Sequence, residues 1–392
     1  MKPEWVYLRS VIEGSNEALL DALWPDGWEH REDLPTPDAR RLAERIYQRD
    51  ATLPEEILRT TERRFRTDAK AIARHAADLD LRLLVPGDGE WPSCFTSSFR
   101  RIAESGPDSD SIVRGLAAAP FAVWVGGVGD VAELASQAVT LVGTRAPSSY
   151  GSEVASQLGR DLARDGYTIV SGGAEGIDKC AHEAALSVHS PTMAVLACGA
   201  DVPYPAKHER LFHRIRATGA VITEYGPGTP PARHRFLTRN RLAAALGQAT
   251  VVVQAPIRSG ALNTLNWCEA MAKIPMAVPG PITSAGFQGC LDRLKTQRAE
   301  MVTSSVDVRS QLEPLGHQLE MDWGSRTGER PMTLNELTVF DSLPTAPGEG
   351  GTIEMIQAET GLSGKVVMRS LRSLDKAGMI VREGTRWVKS ST

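Results

Sequence analysis

A parallel α/β sheet of Rossmann type with helices on both faces, flanked by a small helical N-terminal domain and a C-terminal winged helix, is the fold predicted for this 392-residue sequence. Three observations predict it. From residue 138 onward, short apolar runs alternate with helix-forming stretches, the pattern of strand–helix–strand units in a doubly wound sheet. Those runs end on or lead to glycine (Gly143, Gly172, Gly199, Gly226, Gly260, Gly280), as strands do when bare backbone must turn into a helix start. Outside this block the texture changes, to short charged helices before it and to three helices and a hairpin after it.

Taken in order, residues 1–82 read as the helical domain. Stretches 17–24 and 38–49 carry apolar residues at helical spacing on either side of a Pro-Thr-Pro stop, and 57–84 continues as one or two arginine-rich amphipathic helices. Arg59, Arg63, Arg64 and Arg66 are read as a solvated face. Residues 83–314 form the Rossmann-like domain. It opens on a connecting segment around Trp91-Pro92, a polar loop at 104–110 and one strand within 120–126. Strands are expected at 138–142, 168–170, 193–197, 220–223, 250–254 and 275–278, and helices at 152–165, 177–187, 206–217, 239–246 and 262–273. The strand-end glycines share one sheet edge and suggest a long groove lined by backbone. Residues 315–332 read as a linker. Residues 333–392 form the winged helix, with helices at 334–343, 352–360 and 365–377 and a hairpin over 378–388. Its third helix carries Lys365, Arg369 and Arg372, which suit duplex DNA or a protein contact; three basic residues on an exposed helix are common, and duplex reading is not the favoured use.

Composition narrows the function classes. A net charge of −4 argues against a general nucleic-acid coat, so the distribution of charge decides. Five cysteines without a C-x-x-C pair exclude a zinc signature and a disulfide framework, and fit reduced thiols. With no apolar leader core and no membrane-length apolar run, a cytoplasmic protein without membrane contact is expected.

Four turns carry the candidate chemistry. The first, after the 138–142 strand, is no G-x-G-x-x-G, and no acid caps the next strand as a nicotinamide cofactor would require. Instead Arg145 follows the strand directly and can fork onto a phosphate, while Ser148, Ser149 and the turn's N–H groups, Gly143 and Thr144 among them, can hold another. Pairing of Arg145 with a local acid is the alternative. The second turn, Ser171-Gly172-Gly173-Ala174-Glu175-Gly176, offers backbone N–H groups at a helix start, with Lys179 next on the helix. Glu175 and Asp178 are read as turn anchors rather than catalytic acids, and His182 as satisfying a neighbouring carbonyl, with a position pointing into the groove as the alternative. The third region, 207–241, holds eight Lys/Arg against Glu209 and Glu224, a local surplus of six in an acidic chain. Polyanion binding needs such a surplus. Arg239, Asn240 and Arg241 are its candidate contacts, and Phe236 could stack a base or be buried. The fourth turn, Ser259-Gly260, is another small-residue helix start. No metal or cofactor is expected.

These segments together resemble the bacterial DNA-processing family DprA (Smf). Residues 140–151, Ser171 to Asp178 with Ala181-His182, Gly199 through Tyr204-Pro205, Thr223 to Gly228, Phe236-x-x-Arg239-Asn240-Arg241, Ser259-Gly260 and Pro279-Gly280 follow the family's order and spacing across roughly residues 91–294. The resemblance implies a homodimer, formed through the Rossmann-like domain, that binds incoming single-stranded DNA and loads the RecA recombinase in natural transformation. By position, Arg145 matches the family's first-turn arginine, Gly172, Gly173 and Gly176 its second turn, and Arg239 and Arg241 its Arg-Asn-Arg element. The chain departs from the family at Thr144 (usually Ser), His208 (usually Asn), Glu209 (Lys in some members) and Gln254 (usually Glu). Two other classes compete. A phosphoribohydrolase of the LOG type needs a glutamate in the turn beginning at Ser259, where no carboxylate occurs before Glu269. A regulator would sense a nucleotide in the sheet domain and read duplex DNA with the winged helix. The expected function is non-enzymatic binding of single-stranded DNA.

Overall fold

Nine short runs assemble into one sheet in the computed structural model, which describes residues 2–14, 16–30, 37–104, 117–313, 332, 334–343, 350–376, 378–383 and 386–390. The strands are β1 (Leu81–Leu84), β2 (Val123–Gly126), β3 (Ala138–Val142), β4 (Thr168–Ser171), β5 (Thr192–Val195), β6 (Ala220–Thr223), β7 (Ala249–Val252), β8 (Ile274–Ala277) and β9 (Glu300–Met301). Their order is β1-β2-β6-β5-β4-β3-β7-β8-β9. From β6 to β9 all pairings are parallel, with Val142 opposite Val252 and Thr140 opposite Val170, whereas β2 joins β6 antiparallel and β1 joins β2 antiparallel. Every residue of β2 through β7 is buried. Layers on both faces produce this, and it is why these strands read as continuous apolar runs rather than alternating ones. The predicted Rossmann-like fold is the observed one.

The chain divides into two units, Met1–Pro314 and Leu315–Thr392. In the first, the N-terminal helices share an apolar cluster with the sheet: Trp5, Leu8, Leu19 and Leu20 belong to the same core as Phe95, Phe99 and Trp124. In the second, helices Leu334–Asp341, Ile353–Thr360 and Gly364–Lys376 and the antiparallel pair β10 (Ile380–Glu383) and β11 (Arg386–Lys389) enclose Val339, Ile356, Val367, Leu371 and Trp387. Lys365, Arg369 and Arg372 are exposed there. The predicted polar loop at 104–110 and linker at 315–332 lie, apart from Glu104 and Met332, outside the described residues.

Two differences from the sequence-based expectation bear on the site. The helix expected at 239–246 begins six residues earlier and runs Arg233–Leu246. Pro230-Pro231 stops the preceding chain, and the helix is buried at every position from Thr238 to Leu246, so it has no amphipathic stripe to reveal it. Arg233 to Arg239 therefore form its first two turns. The second difference is β1, which lies inside the stretch expected to be helical.

Candidate nucleic-acid interface

The strand order sets the position of the site. From β3 the chain winds outward through β4, β5 and β6, then returns to β7 on the other side of β3. Where the winding reverses, the loops leaving the two strands part and open a crevice at their carboxyl ends. Here that crevice is a cleft of about 370 Å³, lined among others by Gly143, Thr144, Arg145, Gly172, Asp178, Phe236, Arg239, Asn240, Arg258, Ser259 and Gly260. Residues from all four predicted turns thus meet at one place. They do not form one long groove along the strand-end glycines, because Gly226 lines a different cleft.

Two cations form the exposed rim. Arg145 takes no acid among the described residues and lies over the Phe236 ring, 5.2 Å from its centroid. Tyr204 packs against that ring at 5.5 Å. Arg258, also exposed and without an ion pair among the described residues, stands at the mouth of the β7 turn. Beside it begins the helix Gly260–Ala270. Ser259 caps it by accepting from the Ala261 N–H (3.2 Å), and the space above Gly260 is open. The free N–H groups at that helix end add positive potential to the two guanidinium groups.

Arg239 and Asp178 form the floor. Arg239 is buried and donates through Nη1 to the Val195 carbonyl, while its Nε has no hydrogen-bond partner among the described residues. Burial pushes its pKa down, and the field of Asp178 opposes that shift. The guanidinium packs on Gly172, where an added Cβ would sit 2.0 Å from Nη1, so a side chain at 172 would displace Arg239. Asp178 is buried, and its carboxylate accepts from the Ala174 N–H (3.3 Å). Burial raises its pKa against the pull of Arg239 and the turn N–H groups. It anchors the second turn.

Several predicted contacts are committed elsewhere. Ser171 is buried and donates to the Leu141 carbonyl at 2.6 Å. The Thr144 N–H is bonded to the Gln254 carbonyl (2.7 Å), and the Thr144 carbonyl accepts from Ile177 (3.2 Å), so this residue staples three turns together. Gly176 lies against that staple at φ +80°, and its missing Cβ would meet the Thr144 carbonyl oxygen at 2.4 Å. Gly173 closes over Phe212 and does not line the cleft. The Ser148 N–H and hydroxyl both donate to Gln254 Oε1 at 3.0 Å, and Ser148 caps helix Ser149–Arg164 by accepting from Gly151 (3.1 Å). Gln254 therefore supplies the acceptor oxygen that a glutamate would, without the charge. Lys179 lies 3.8 Å from Glu183 on its own helix. Asn240 lines the cleft but ties two helices, donating to the Gly260 carbonyl and Asn263 Oδ1, both at 3.2 Å.

Arg241 is the clearest correction. It is fully buried, donates to both Glu224 oxygens (2.6 and 2.5 Å) and to the Ala118 carbonyl (3.0 Å), and faces away from the cleft. The local surplus of six shrinks accordingly. Lys207 pairs with Glu175 (2.9 Å), Arg216 donates to the Leu79 carbonyl (2.7 Å), and Arg235 bonds Glu13. His182 is a core histidine, fully buried, with Nδ1 2.8 Å from Thr192 Oγ1 and Nε2 without a hydrogen-bond partner among the described residues. The residue missed was Arg258. Its signal was available, as a lone arginine directly before a strand-linked helix start, but the basic count stopped at Arg241.

Comparison with known proteins identifies the family. The family model for DNA recombination-mediator protein A matches residues 83–313. The chain is 41% identical over 333 residues to a putative DNA processing protein DprA of Mycobacterium tuberculosis, spanning 81% of each. It is 32% identical over 254 residues to protein Smf of Escherichia coli, covering 64% of this chain and 67% of that one. The X-ray structure of DNA processing protein A from Streptococcus pneumoniae matches it with a TM-score of 0.61 at 27% identity, over 80% of this chain and 99% of that one. The resemblance read from the turns is borne out: this chain belongs to the DNA recombination-mediator protein A (DprA/Smf) family of DNA-processing proteins.

Proposed function

We propose that the switch-point cleft grips the backbone of single-stranded DNA and that the protein works as a recombination mediator without catalysing a reaction. The observation that carries this reading is the pair Arg145 and Arg258, both exposed in the lining of the cleft with no acid partner among the described residues. Phosphate competes well for Arg145. Its present contact with Phe236 is worth about 0.5–1 kcal/mol at an exposed site, against about 1.5–3 kcal/mol for a charge-assisted hydrogen bond. A phosphate that draws Arg145 off the ring bares Phe236 for a base, which couples backbone grip to stacking without reading sequence. Against catalysis stands the use already made of the carboxylates. Asp178 anchors a turn, and Glu269, the first acid after Ser259, is bonded to Arg298 at 2.7 Å. The reading includes a cytoplasmic homodimer, delivery of bound DNA to RecA, and a winged helix in residues 333–392 that meets protein or duplex DNA. It also keeps the division at residues 82, 314 and 332.

Fluorescence anisotropy with a labelled oligothymidine and a matched duplex, across a salt series, tests the core of it. Arg145→Ala should weaken single-strand binding by about 10- to 100-fold and make the log–log salt slope shallower by about 0.7. Duplex preference indifferent to Arg145 would move the DNA site to the C-terminal unit and sink the reading.

A further inference from the structure

The start of helix Arg233–Leu246 lacks the residues that usually secure one. Its N-cap is Ala232, whose side chain cannot take the first N–H groups, and Arg233, His234, Arg235 and Phe236 bring no acid to a helix end of positive potential. A cation at that end is repelled by the helix dipole. Continuous burial begins only at Thr238, so the core does not hold this turn either. Yet the turn carries Phe236, which packs against Arg145 and lines the switch-point cleft. A group outside the helix has to fix it.

The missing acid comes from the loop after helix Pro3–Val11. Glu13 accepts from Arg235 Nε through Oε1 and from Arg64 Nη2 through Oε2, the latter at 2.9 Å. Arg235 also donates through Nη1 to the Pro230 carbonyl, and its guanidinium lies 4.9 Å from the centre of the Tyr225 ring. The Arg235 side chain is only 11% exposed, which shields its bond to Glu13 from solvent as a surface pair is not shielded. Burial works to raise the Glu13 pKa, but the bonds to Arg235 and Arg64 carry it below the usual glutamate value, so the acid is charged. Glu13 is held in its turn. The buried Arg9 donates to the carbonyls on either side of it, those of Ile12 and Gly14, the second at 3.0 Å. Gly14 lies against the same helix, where an added Cβ would fall 3.8 Å from Thr238 Cγ2.

This ion cluster lines a second cleft, of about 340 Å³, which Arg235 shares with Glu13 and Arg64. Phe236, the next residue, lines the switch-point cleft instead. Successive side chains on a helix point about 100° apart, so a single turn is common to the walls of both clefts. We infer that Glu13 is a positioning residue for the single-strand site: by holding Arg235 it fixes the first turn of helix Arg233–Leu246, and with it the Phe236 ring on which a base stacks. The inference rests on the reading of the switch-point cleft as that site. It makes the N-terminal helices part of the DNA-binding apparatus without a DNA contact of their own.

The test measures anisotropy of a labelled oligothymidine and of an abasic strand of the same length and charge. The full chain is used, as wild type, Arg145→Ala, Phe236→Ala, Glu13→Gln and the double variant Glu13→Gln/Phe236→Ala. Thermal melting by circular dichroism confirms that each variant folds. Arg145→Ala should weaken both strands. Phe236→Ala should weaken oligothymidine about tenfold and leave the abasic strand unchanged. Glu13→Gln should weaken oligothymidine about three- to tenfold and bind the abasic strand at least as tightly as wild type does. Its salt slope should not change, because no phosphate contact is removed. Removing a negative charge near a polyanion site favours binding, so a loss confined to the strand with bases cannot come from charge. The double variant should lose no more than Phe236→Ala alone, since Glu13 acts through that ring. Unchanged oligothymidine binding by Glu13→Gln overturns the inference, as do equal losses on both strands or losses that add in the double variant. If Phe236→Ala does not separate the two strands, no base stacks there, and the inference falls while the phosphate grip of Arg145 stands. If Arg145→Ala changes neither strand, the cleft reading itself has failed, and the inference falls with it.

Discussion

Two arginine clusters flank the helix Arg233–Leu246, and they differ in burial and in countercharge. On one side Arg241 and Arg9 close on Glu224, with all three side chains at most 1% exposed. Arg241 bonds both carboxylate oxygens, Arg9 Nη1 lies 3.7 Å away, and other N–H groups reach the carbonyls of Ala118, Ile12 and Gly14. On the other side Arg145, Arg258 and Arg239 surround the switch-point cleft, and among the described residues none has an ion pair. The carboxyl group lining that cleft, Asp178, is held by its own turn and pushed toward its neutral form by burial. Arg239 and Arg241 sit two positions apart on one helix, so they point about 200° apart. Residue type does not separate them; the countercharge does. A guanidinium supplied with a carboxylate from its own chain is structure, and one left without is ready for an anion from outside.

The contrast is broken most directly by removing Glu224. Glu224→Ala leaves two buried guanidinium groups facing each other and should destabilise the fold by about 3–5 kcal/mol, the cost of orphaning a buried charge. Urea unfolding measures this, and the single-strand affinity of the molecules that remain folded should be unchanged. Arg145→Ala should show the reverse pattern, with stability within about 0.5 kcal/mol of wild type and affinity lost. A loss below about 1 kcal/mol for Glu224→Ala would mean that water already compensates the buried cluster, and the distinction between the clusters would collapse.

Acid should strain the side of the molecule that lacks countercharge. His182 lies behind the cleft, its pKa pushed down to about 3 by burial first and then by His208 and Arg239. In the unfolded chain it titrates near 6.5, so between those values the unfolded state binds the extra proton. The stability contributed by neutral His182 is fully present above about pH 6.5 and is lost as pH falls toward 3, at up to about 1.4 kcal/mol per unit. Asp178, with its raised pKa, works in the opposite direction in acid. Comparing wild type with His182→Gln isolates the histidine: between pH 6 and 4 the wild-type stability should fall more steeply, by about 1 kcal/mol per unit. Parallel slopes would mean that the imidazole is hydrated, and the wall behind the cleft would no longer count as uncompensated.

The sheet was legible because its central strands are covered on both faces, so 138–142, 168–170 and 220–223 read as largely apolar runs ending at turns. The helix start at Arg233 was hidden, since its first turn is polar and exposed and the buried stretch from Thr238 onward carries no stripe to extend back to it. The division of labour between Arg239 and Arg241 was hidden for another reason. Their partners lie at Val195, Glu224 and, through Glu224, Arg9, and no local count of charges registers an acid arriving from another strand. Ser171 and Thr144 looked like phosphate donors by type, yet both are used in joining strands and turns. Arg258 was hidden because it stands alone in sequence, outside the basic run that ends at Arg241.

The smallest expected effect is the most diagnostic of where compensation begins. Gln254 stands at the end of β7 behind the first turn, its Oε1 accepting both Ser148 donors. Gln254→Glu preserves both acceptor contacts and places a carboxylate near the start of helix Ser149–Arg164. Attraction to that helix end is worth about 0.3–1 kcal/mol, and burial of the new charge offsets it, so stability should stay within about 0.5 kcal/mol. The same charge lies behind a cleft whose cations have no acid partner of their own. At low salt, single-strand affinity should fall by about two- to threefold, and the difference should fade as salt screens it. The salt slope should not change, because no phosphate contact is removed. A loss of tenfold or more would mean that the new carboxylate has captured Arg145 and turned the open cluster into a second copy of the closed one.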